Sequence, residues 1–326
     1  MEVHTMWRKY PQLEKDLKEV LTVIEAHLKI HDKEMNAYVK QLLHAGGKML
    51  RPAYSLLCAQ AGRDYNREKS IAIAAAIEVL HLATLIHDDV IDRASTRRGI
   101  STIHEKFGNR YAIYTGDYLF CICFQILSKY SNSLSNIEFN TASMEKILSG
   151  ELEQMRLRYR LETSIKDYLK RINGKTAQLF ALSCYSGASV NSTSKKLTRN
   201  CWNLGHHIGM AFQIIDDILD YTGDDQISGK PVLSDMRQGI YTLPLIYAMK
   251  EKKAAFTEIL RKKERMAEDD VLQVQSLVIK HKGVELAHKL AGKYTAKGLK
   301  EIGKLPDGIY KDQLVEITSQ LLYRST

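Results

Sequence analysis

The sequence predicts an all-α fold, a single-domain helical bundle spanning residues 1–326, on three observations. Apolar residues recur at helical spacings of three and four, no alternating strand pattern of any length occurs, and only 5 prolines interrupt a chain that is 44% apolar. Leu13, Leu17, Val20, Ile24 and Leu28 mark the first helix, and Pro11 suits its first turn, where a missing N–H costs nothing. The Gly46-Gly47 pair breaks the pattern, and a helix opens again near Pro52. Ser70 to Asp92 reads as one apolar helix that ends before Gly99. Further helical stretches run over 110–130, 142–160, 164–189 and 196–222. Residues 223–239, with Gly229, Pro231 and several Asp, form the most irregular segment. Charged amphipathic helices follow, with a turn at Asp307-Gly308.

Composition narrows the class of function. The net charge is +9, but the Lys and Arg are interspersed with acids and form no basic block interleaved with aromatics. A nucleic-acid groove needs such a block, so no nucleic-acid partner is expected. Cys58, Cys121, Cys123, Cys184 and Cys201 contain no CxxC pair, are odd in number and have mostly apolar neighbours. They read as buried thiols of a reducing cytosol. No apolar leader follows the N-terminus, and the longest apolar stretch, Ile71 to Ile86, contains Glu78 and His81. It is short for a membrane span, so a soluble, cytoplasmic protein with a core helix is expected.

Two Asp-Asp-x-x-Asp clusters carry the chemistry: Asp88, Asp89 and Asp92, then Asp216, Asp217 and Asp220. On a helix, positions i, i+1 and i+4 share a sector. At an Asp frequency of roughly 6%, one such triplet is expected about 0.07 times in a chain this long. The flanks are apolar, Thr84-Leu85-Ile86 before the first and Ala211-Phe212 and Ile214-Ile215 around the second. That setting is wrong for a solvated acidic face. If the triads face each other at roughly 8 Å, each cross pair repels by about 2 kcal/mol at an effective dielectric near 20. Mg²⁺ relieves this, since it takes one or two carboxylates and completes its shell with water and phosphate oxygens.

The cations point to an anionic partner for that metal. Lys48 and Arg51 follow the Gly46-Gly47 turn, which reads either as a diphosphate cradle or as an ordinary helix-capping loop and lacks the Walker frame. Arg97 and Arg98 follow the first Asp cluster, and guanidinium pairs bind phosphate oxygens in bidentate fashion. Lys175 and Thr176 add a cation and a hydroxyl. Gln213 sits one turn before the second cluster, and His81 two turns before Asp88 on the same face. Six carboxylates and these cations around apolar helices imply a ligand with a diphosphate head and a greasy tail. Glycoside hydrolysis needs one acid and one base, not two triads demanding metal.

These motifs together, the two Asp clusters, the Gly46-Gly47-Lys48…Arg51-Pro52 segment and the spacing from Asp88 to Arg97-Arg98-Gly99, are similar to those of the trans-polyprenyl diphosphate synthases. The chain resembles the bacterial long-chain type, heptaprenyl diphosphate synthase component II above all. The resemblance implies the isoprenoid synthase fold around a central apolar cavity, and head-to-tail addition of isopentenyl diphosphate to an allylic diphosphate such as farnesyl or geranylgeranyl diphosphate. It implies three Mg²⁺ ions, held by Asp88, Asp92 and Asp89 and by Asp216, Asp217 and Asp220. Lys48, Arg51, His81 and Arg98 match the isopentenyl diphosphate side, and Arg97, Lys175, Thr176, Gln213 and Lys230 the allylic side. Asp88, Asp92, Arg97, Lys175 and Asp216 are the implied catalytic set.

Three departures stand out: Met49 where the family has Arg, Leu233 where it has Gly, and Ile240 where Lys is common. The last is shared with the heteromeric heptaprenyl type, so the expected partner is a second copy or a small non-catalytic subunit. Residues four and five before Asp88 line the product tunnel in the family. Here they are Thr84 and Ala83, with Leu80 a turn below and Phe120 or Phe124 as the floor. The small pair predicts a long product, C35 by resemblance, destined for a quinone side chain. A terpene cyclase shares the first Asp cluster but lacks the Lys48–Arg51 pair, and a regulatory subunit would have lost its Asp clusters.

Overall fold

In the computed structural model, residues 2–130, 134–192, 194–222 and 233–322 are described. The all-α expectation holds. Among these residues the one sheet is a hairpin of two-residue strands, β1 (Thr96–Arg97) and β2 (Ile100–Ser101). The chain forms two compact units. The first comprises Met1–Thr141, Leu182–Cys201 and Pro306–Tyr310, and the second comprises Ala142–Ala181, Trp202–Leu305 and Lys311–Thr326.

In the first unit a 3₁₀ turn, Thr5–Lys9, leads into α1 (Pro11–His27). Pro11 does open α1, and Leu13, Leu17, Val20 and Ile24 are buried as their spacing predicts. Next come α2 (Lys33–His44), α3 (Leu50–Ala59) and α4 (Arg67–Ile91). The sequence reading passed over α2, whose amphipathic face is only Met35, Tyr38, Val39, Leu42 and Leu43. α3 opens at Leu50, so Pro52 falls in its first turn, where N–H groups lack helical partners anyway. α4 packs on α1, α3 and α6 (Asn109–Tyr130), with the short α5 (Ile103–Phe107) beside α6. Ala72, Ala74, Ala75 and Ala76 keep α4 slim enough for neighbours on several sides. By length and composition α4 is apolar enough to cross a membrane, yet most of it is buried within the protein. A buried carboxylate, Asp16, ties α1 to α4 through Arg67 at 2.7 Å.

Of the thiols, Cys58, Cys123, Cys184 and Cys201 are buried, and Cys58 hydrogen-bonds with both Cys184 and Cys201. Cys121 is exposed, against expectation. It steps off the buried stripe of α6 formed by Leu119, Ile122, Cys123 and Ile126.

The second unit takes the end of α7 (Leu134–Arg156), then α8 (Ile165–Ile172), a π-helical segment (Asn173–Ala177), the start of α9 (Gln178–Val190) and most of α10 (Lys195–Thr222). α11 (Ser234–Arg237), α12 (Leu243–Leu260), α13 (Glu268–Lys280) and α14 (Gly283–Gly303) follow, and α15 (Ile309–Leu322) begins in the first unit. α12, α13 and α14 pack on one another. Their core is Leu245, Phe256, Leu260, Val271, Val274 and Val278, with Tyr221 and Tyr241. The expected irregular segment resolves at its end into α11, and Leu233 before it is buried with a left-handed backbone. Lys230 and its neighbours lie outside the described residues.

Candidate active site

Both Asp clusters sit at the carboxyl ends of their helices. Asp88 and Asp89 are in the last turn of α4 and Asp92 caps it, while Asp216, Asp217 and Asp220 fall within the last two turns of α10. A helix carries partial negative charge there, which disfavours each acid by about 0.3–1 kcal/mol. Neither last turn contains a basic residue to offset this. The placement sharpens the electrostatic problem that the sequence posed.

The structure separates the members of each triad. Asp89 is buried, at 4% exposure, and its Oδ1 accepts from Nη2 and Nε of Arg97 at 2.6 and 2.7 Å. Asp88 and Asp92 are partly exposed. Asp217 is buried, at 3%, whereas Asp216 is exposed and Asp220 partly so. One residue of helix turns a side chain by about 100°, enough to carry the middle acid into the protein while its neighbour faces out. Three acids in one sector was therefore too coarse an expectation.

In the first unit the candidate cations converge. α4 ends with Arg93 in the left-handed region, and the hairpin turn that follows places Arg98 (φ 52°) and Gly99 (φ 79°) there too. That pair of positive φ values is what a two-residue hairpin turn of primed type demands. The hairpin sends Arg97 to Asp89, and it sets the Arg98 guanidinium against Gly47, where a Cβ would collide with it. Arg51, in the first turn of α3, donates from Nη1 to Nε2 of His81 at 3.0 Å. Burial, then Arg51, Arg98 and Arg97, hold the His81 imidazole well below its ordinary pKa. Beneath them lies Glu78, whose carboxyl is raised by burial and lowered by Arg98 and Arg51. Burial brings Arg51 down to about 10, so it stays charged at neutral pH. Lys48, Arg51, His81 and Arg98, drawn from three separate stretches of sequence, occupy one neighbourhood.

In the second unit the π-helical segment presents Lys175 and Thr176. Such segments insert a residue into a helix and recur at functional sites. Gly174 in this segment lies against Gly150 of α7, backbone to backbone, so neither position has room for a side chain. Lys175 pairs with Glu151, the next residue along α7, at 2.8 Å. The Thr176 hydroxyl donates to Oε1 of Gln213 at 2.6 Å, and Nε2 of Gln213 donates to Oδ1 of Asp217 at 2.7 Å. The buried Tyr168 hydroxyl donates to the other Asp217 oxygen at 2.6 Å. Burial first, and Asp235 second, lift Asp217 to about 8 despite these two donors and Arg171. Ser164 and Asp167 close a capping box at the start of α8 and so set the register that delivers Tyr168.

Residues 32–278 match the polyprenyl synthetase family. The chain belongs to that family. It is 36% identical over 302 residues to heptaprenyl diphosphate synthase component 2 of Geobacillus stearothermophilus, covering 91% of this chain and 92% of the relative. Among solved structures, a geranylgeranyl pyrophosphate synthase from Lactobacillus brevis superposes with a TM-score of 0.93 at 41% identity, covering 98% of this chain and 99% of that one. Heptaprenyl diphosphate synthase from Staphylococcus aureus gives a TM-score of 0.91 at 34% identity, over 96% and 99%. The isoprenoid synthase fold and prenyltransferase class expected from the motifs are those of this polyprenyl synthetase.

The family is metal-dependent, and the donor set fits Mg²⁺. All six side chains offer hard oxygens, and both clusters lie at negative helix ends whose last turns contain no basic residue. Among the described residues, no three acidic, His or Cys side chains are grouped closely enough to hold an ion alone. Asp88 and Asp92 in the first unit, and Asp216 and Asp220 in the second, are more exposed than the buried Asp89 and Asp217.

Sequence reasoning missed Glu78, Glu151 and Tyr168. Glu78 was noted only as a blemish in an apolar run, yet a lone acid in such a run signals a buried counter-charge. Glu151 and Tyr168 left no signal, since their partners lie 24 and 49 residues away. Of the chain-length candidates, Leu80 and Ala83 are buried, and the Thr84 hydroxyl donates to the His81 carbonyl. Phe120 rests against the His87 ring, whereas Phe124 is 41% exposed.

Proposed function

We propose that this polyprenyl synthetase adds isopentenyl diphosphate head-to-tail to an allylic diphosphate, in a Mg²⁺-dependent reaction that gives a long trans product. The convergence of Arg51, His81 and Arg98 beside Gly47, close to the helix end that carries Asp88 and Asp92, is the observation that carries this reading. Two guanidiniums beside a neutral imidazole suit a diphosphate that stays bonded through the condensation and remains as the product's head group, and the resemblance assigns this side to isopentenyl diphosphate. The Lys48 ammonium adds a further donor.

Asp88 and Asp92 in the first unit, and Asp216 and Asp220 in the second, are the residues that would hold Mg²⁺. When bound, the metal supplies electrostatic stabilisation of the leaving diphosphate. Arg97, Lys175, Thr176 and Gln213 are assigned to the allylic diphosphate, with Lys230 beyond the described residues. Arg97 and Lys175 favour the charge that develops as the allylic C–O bond breaks. Thr176 and Gln213, joined by their hydrogen bond, offer dipoles with no net charge and so do not quench the carbocation. The isopentenyl double bond then forms the new C–C bond, and a proton passes to the released diphosphate, so His81 is not needed as a base.

Small residues at 83 and 84 support a product in the C30–C50 range, C35 by likeness to the heptaprenyl relatives. The geranylgeranyl synthase neighbour makes C20 the second reading. Assembly is proposed as a homodimer or a heteromer with a small non-catalytic subunit, in the cytoplasm, with the product serving a quinone side chain. Purified protein incubated with farnesyl diphosphate, labelled isopentenyl diphosphate and Mg²⁺, with and without such a subunit, tests this. Labelled polyprenyl product supports it, and no transfer under either condition overturns it.

A further inference from the structure

The segment that joins α2 to α3 carries Lys48 and leads into Arg51, and it is held from a distance. Its backbone is unusual: Gly46 has φ 86° and Met49 φ 49°, ψ 38°. For a residue with a Cβ the left-handed region is unfavourable, so Met49 needs something that fixes it there. Met49 is itself buried, and its carbonyl begins the α3 ladder by accepting from Ala53 at 3.1 Å.

One contact reaches the segment from the N-terminus. The indole Nε1–H of Trp7 donates to the Lys48 carbonyl at 2.8 Å, across 41 residues. Trp7 is wholly buried, and its own turn is well tied. His4 accepts from Met6 N–H, Trp7 N–H donates to the His4 carbonyl, and Tyr10 N–H donates to the Trp7 carbonyl. The Tyr10 ring lies 6.3 Å from the indole. Because the Lys48–Met49 peptide is planar and trans, fixing its carbonyl on the indole turns the Met49 N–H the opposite way. The same plane sets the direction in which Lys48 leaves the chain and the phase at which α3 starts, hence the position of Arg51. On the far flank, Gly47 lies against Arg98.

We propose that Trp7 is a positioning residue for the isopentenyl diphosphate cradle, its indole N–H clamping the Lys48 peptide so that Lys48 and Arg51 meet the substrate in one arrangement. The clamp rests on the functional reading above and adds to it a residue outside the substrate-binding motifs. Its effect is confined to the substrate bound by that cradle.

The test is Trp7→Phe, which keeps an aromatic ring and removes the N–H. The KM for isopentenyl diphosphate rises about fivefold, the equivalent of about 1 kcal/mol, while the KM for farnesyl diphosphate and kcat stay within twofold. Should Trp7→Phe fold poorly, the isostere β-(3-benzothienyl)alanine at position 7, in a Trp202→Phe background, keeps the shape and still lacks the donor; these are the only two tryptophans. An unchanged KM for isopentenyl diphosphate overturns the clamp, and so does an equal rise in both KM values. No prenyl transfer by the unsubstituted protein overturns the functional reading itself, and the clamp's purpose with it.

Discussion

Arg51 donates to Nε2 of His81 over 3.0 Å, and this fixes the imidazole as an acceptor. A guanidinium has only donors, so the Nε2 that meets it carries no proton. His81 therefore serves the site as a neutral spacer that aims Arg51, not as a second cation.

Stability should follow from that. The folded pKa of His81 lies below the value of about 6.5 for an unfolded histidine. Its contribution is thus complete above pH 6.5 and declines as pH falls toward the folded value. His81→Gln keeps an acceptor for Arg51 and cannot titrate. Melting curves from pH 8 to 5 should show the unsubstituted protein losing more stability than His81→Gln, and parallel curves would refute a neutral His81.

The acid clusters make an opposite prediction for activity and stability. Asp88→Asn and Asp216→Asn should each lower prenyl transfer by roughly 10²–10³-fold, as loss of a group that favours developing charge does. In metal-free buffer the same variants should melt no lower than the parent, since each removes a charge that the helix end disfavours by about 0.3–1 kcal/mol. Calorimetry without Mg²⁺ checks this; a clear fall in melting temperature would assign those acids to structure.

Tyr168→Phe tests the middle acid of the second cluster. It removes one donor from a fully buried carboxyl and should cost about 1–3 kcal/mol of stability. With one donor fewer, the Asp217 pKa should climb above its present value of about 8. Denaturant titration gives the first quantity, and infrared spectra of the carboxyl band across pH the second.

Gly150→Ala places a methyl where the Gly174 backbone now lies, 2.9 Å away. We expect about 1–3 kcal/mol of destabilisation and a loss of activity larger than the change in folded fraction, because the π-helical segment that bears Lys175 must shift. Equal losses in the two measurements would show that the contact matters for packing alone.

Ala83→Phe fills the space one turn before Asp88 and should shorten the product sharply. Ala83 is buried without exposure, so Thr84→Phe is the companion variant should the first fail to fold. Unchanged product length on chromatography in both would remove residues 83 and 84 from length control.

Much of this was legible in the chain, for a physical reason. Apolar spacing fixes which face of α1 or α4 is buried, and the Gly46-Gly47 pair marks a break whose backbone few residues tolerate. The Asp clusters showed because acids in apolar surroundings are improbable. What stayed hidden depends on long-range placement. Nothing local distinguishes Tyr168 from any other tyrosine, and the π-helical insertion at Asn173–Ala177 reads as ordinary helix. The division of labour inside each Asp triad, with Asp89 and Asp217 drawn inward, arises from Arg97 and Tyr168 and not from the triads' own spacing.

The hairpin between Thr96 and Ser101 has one further implication. Its neighbouring arginines do unlike jobs, one on a buried acid and the other on a glycine 51 positions earlier, because a two-residue turn sends consecutive side chains apart. Lengthening that loop by a single residue would re-aim Arg98 away from Gly47 while leaving every functional group in the protein. What natural drift can least alter here is therefore the count of residues in the loop, more than their chemistry.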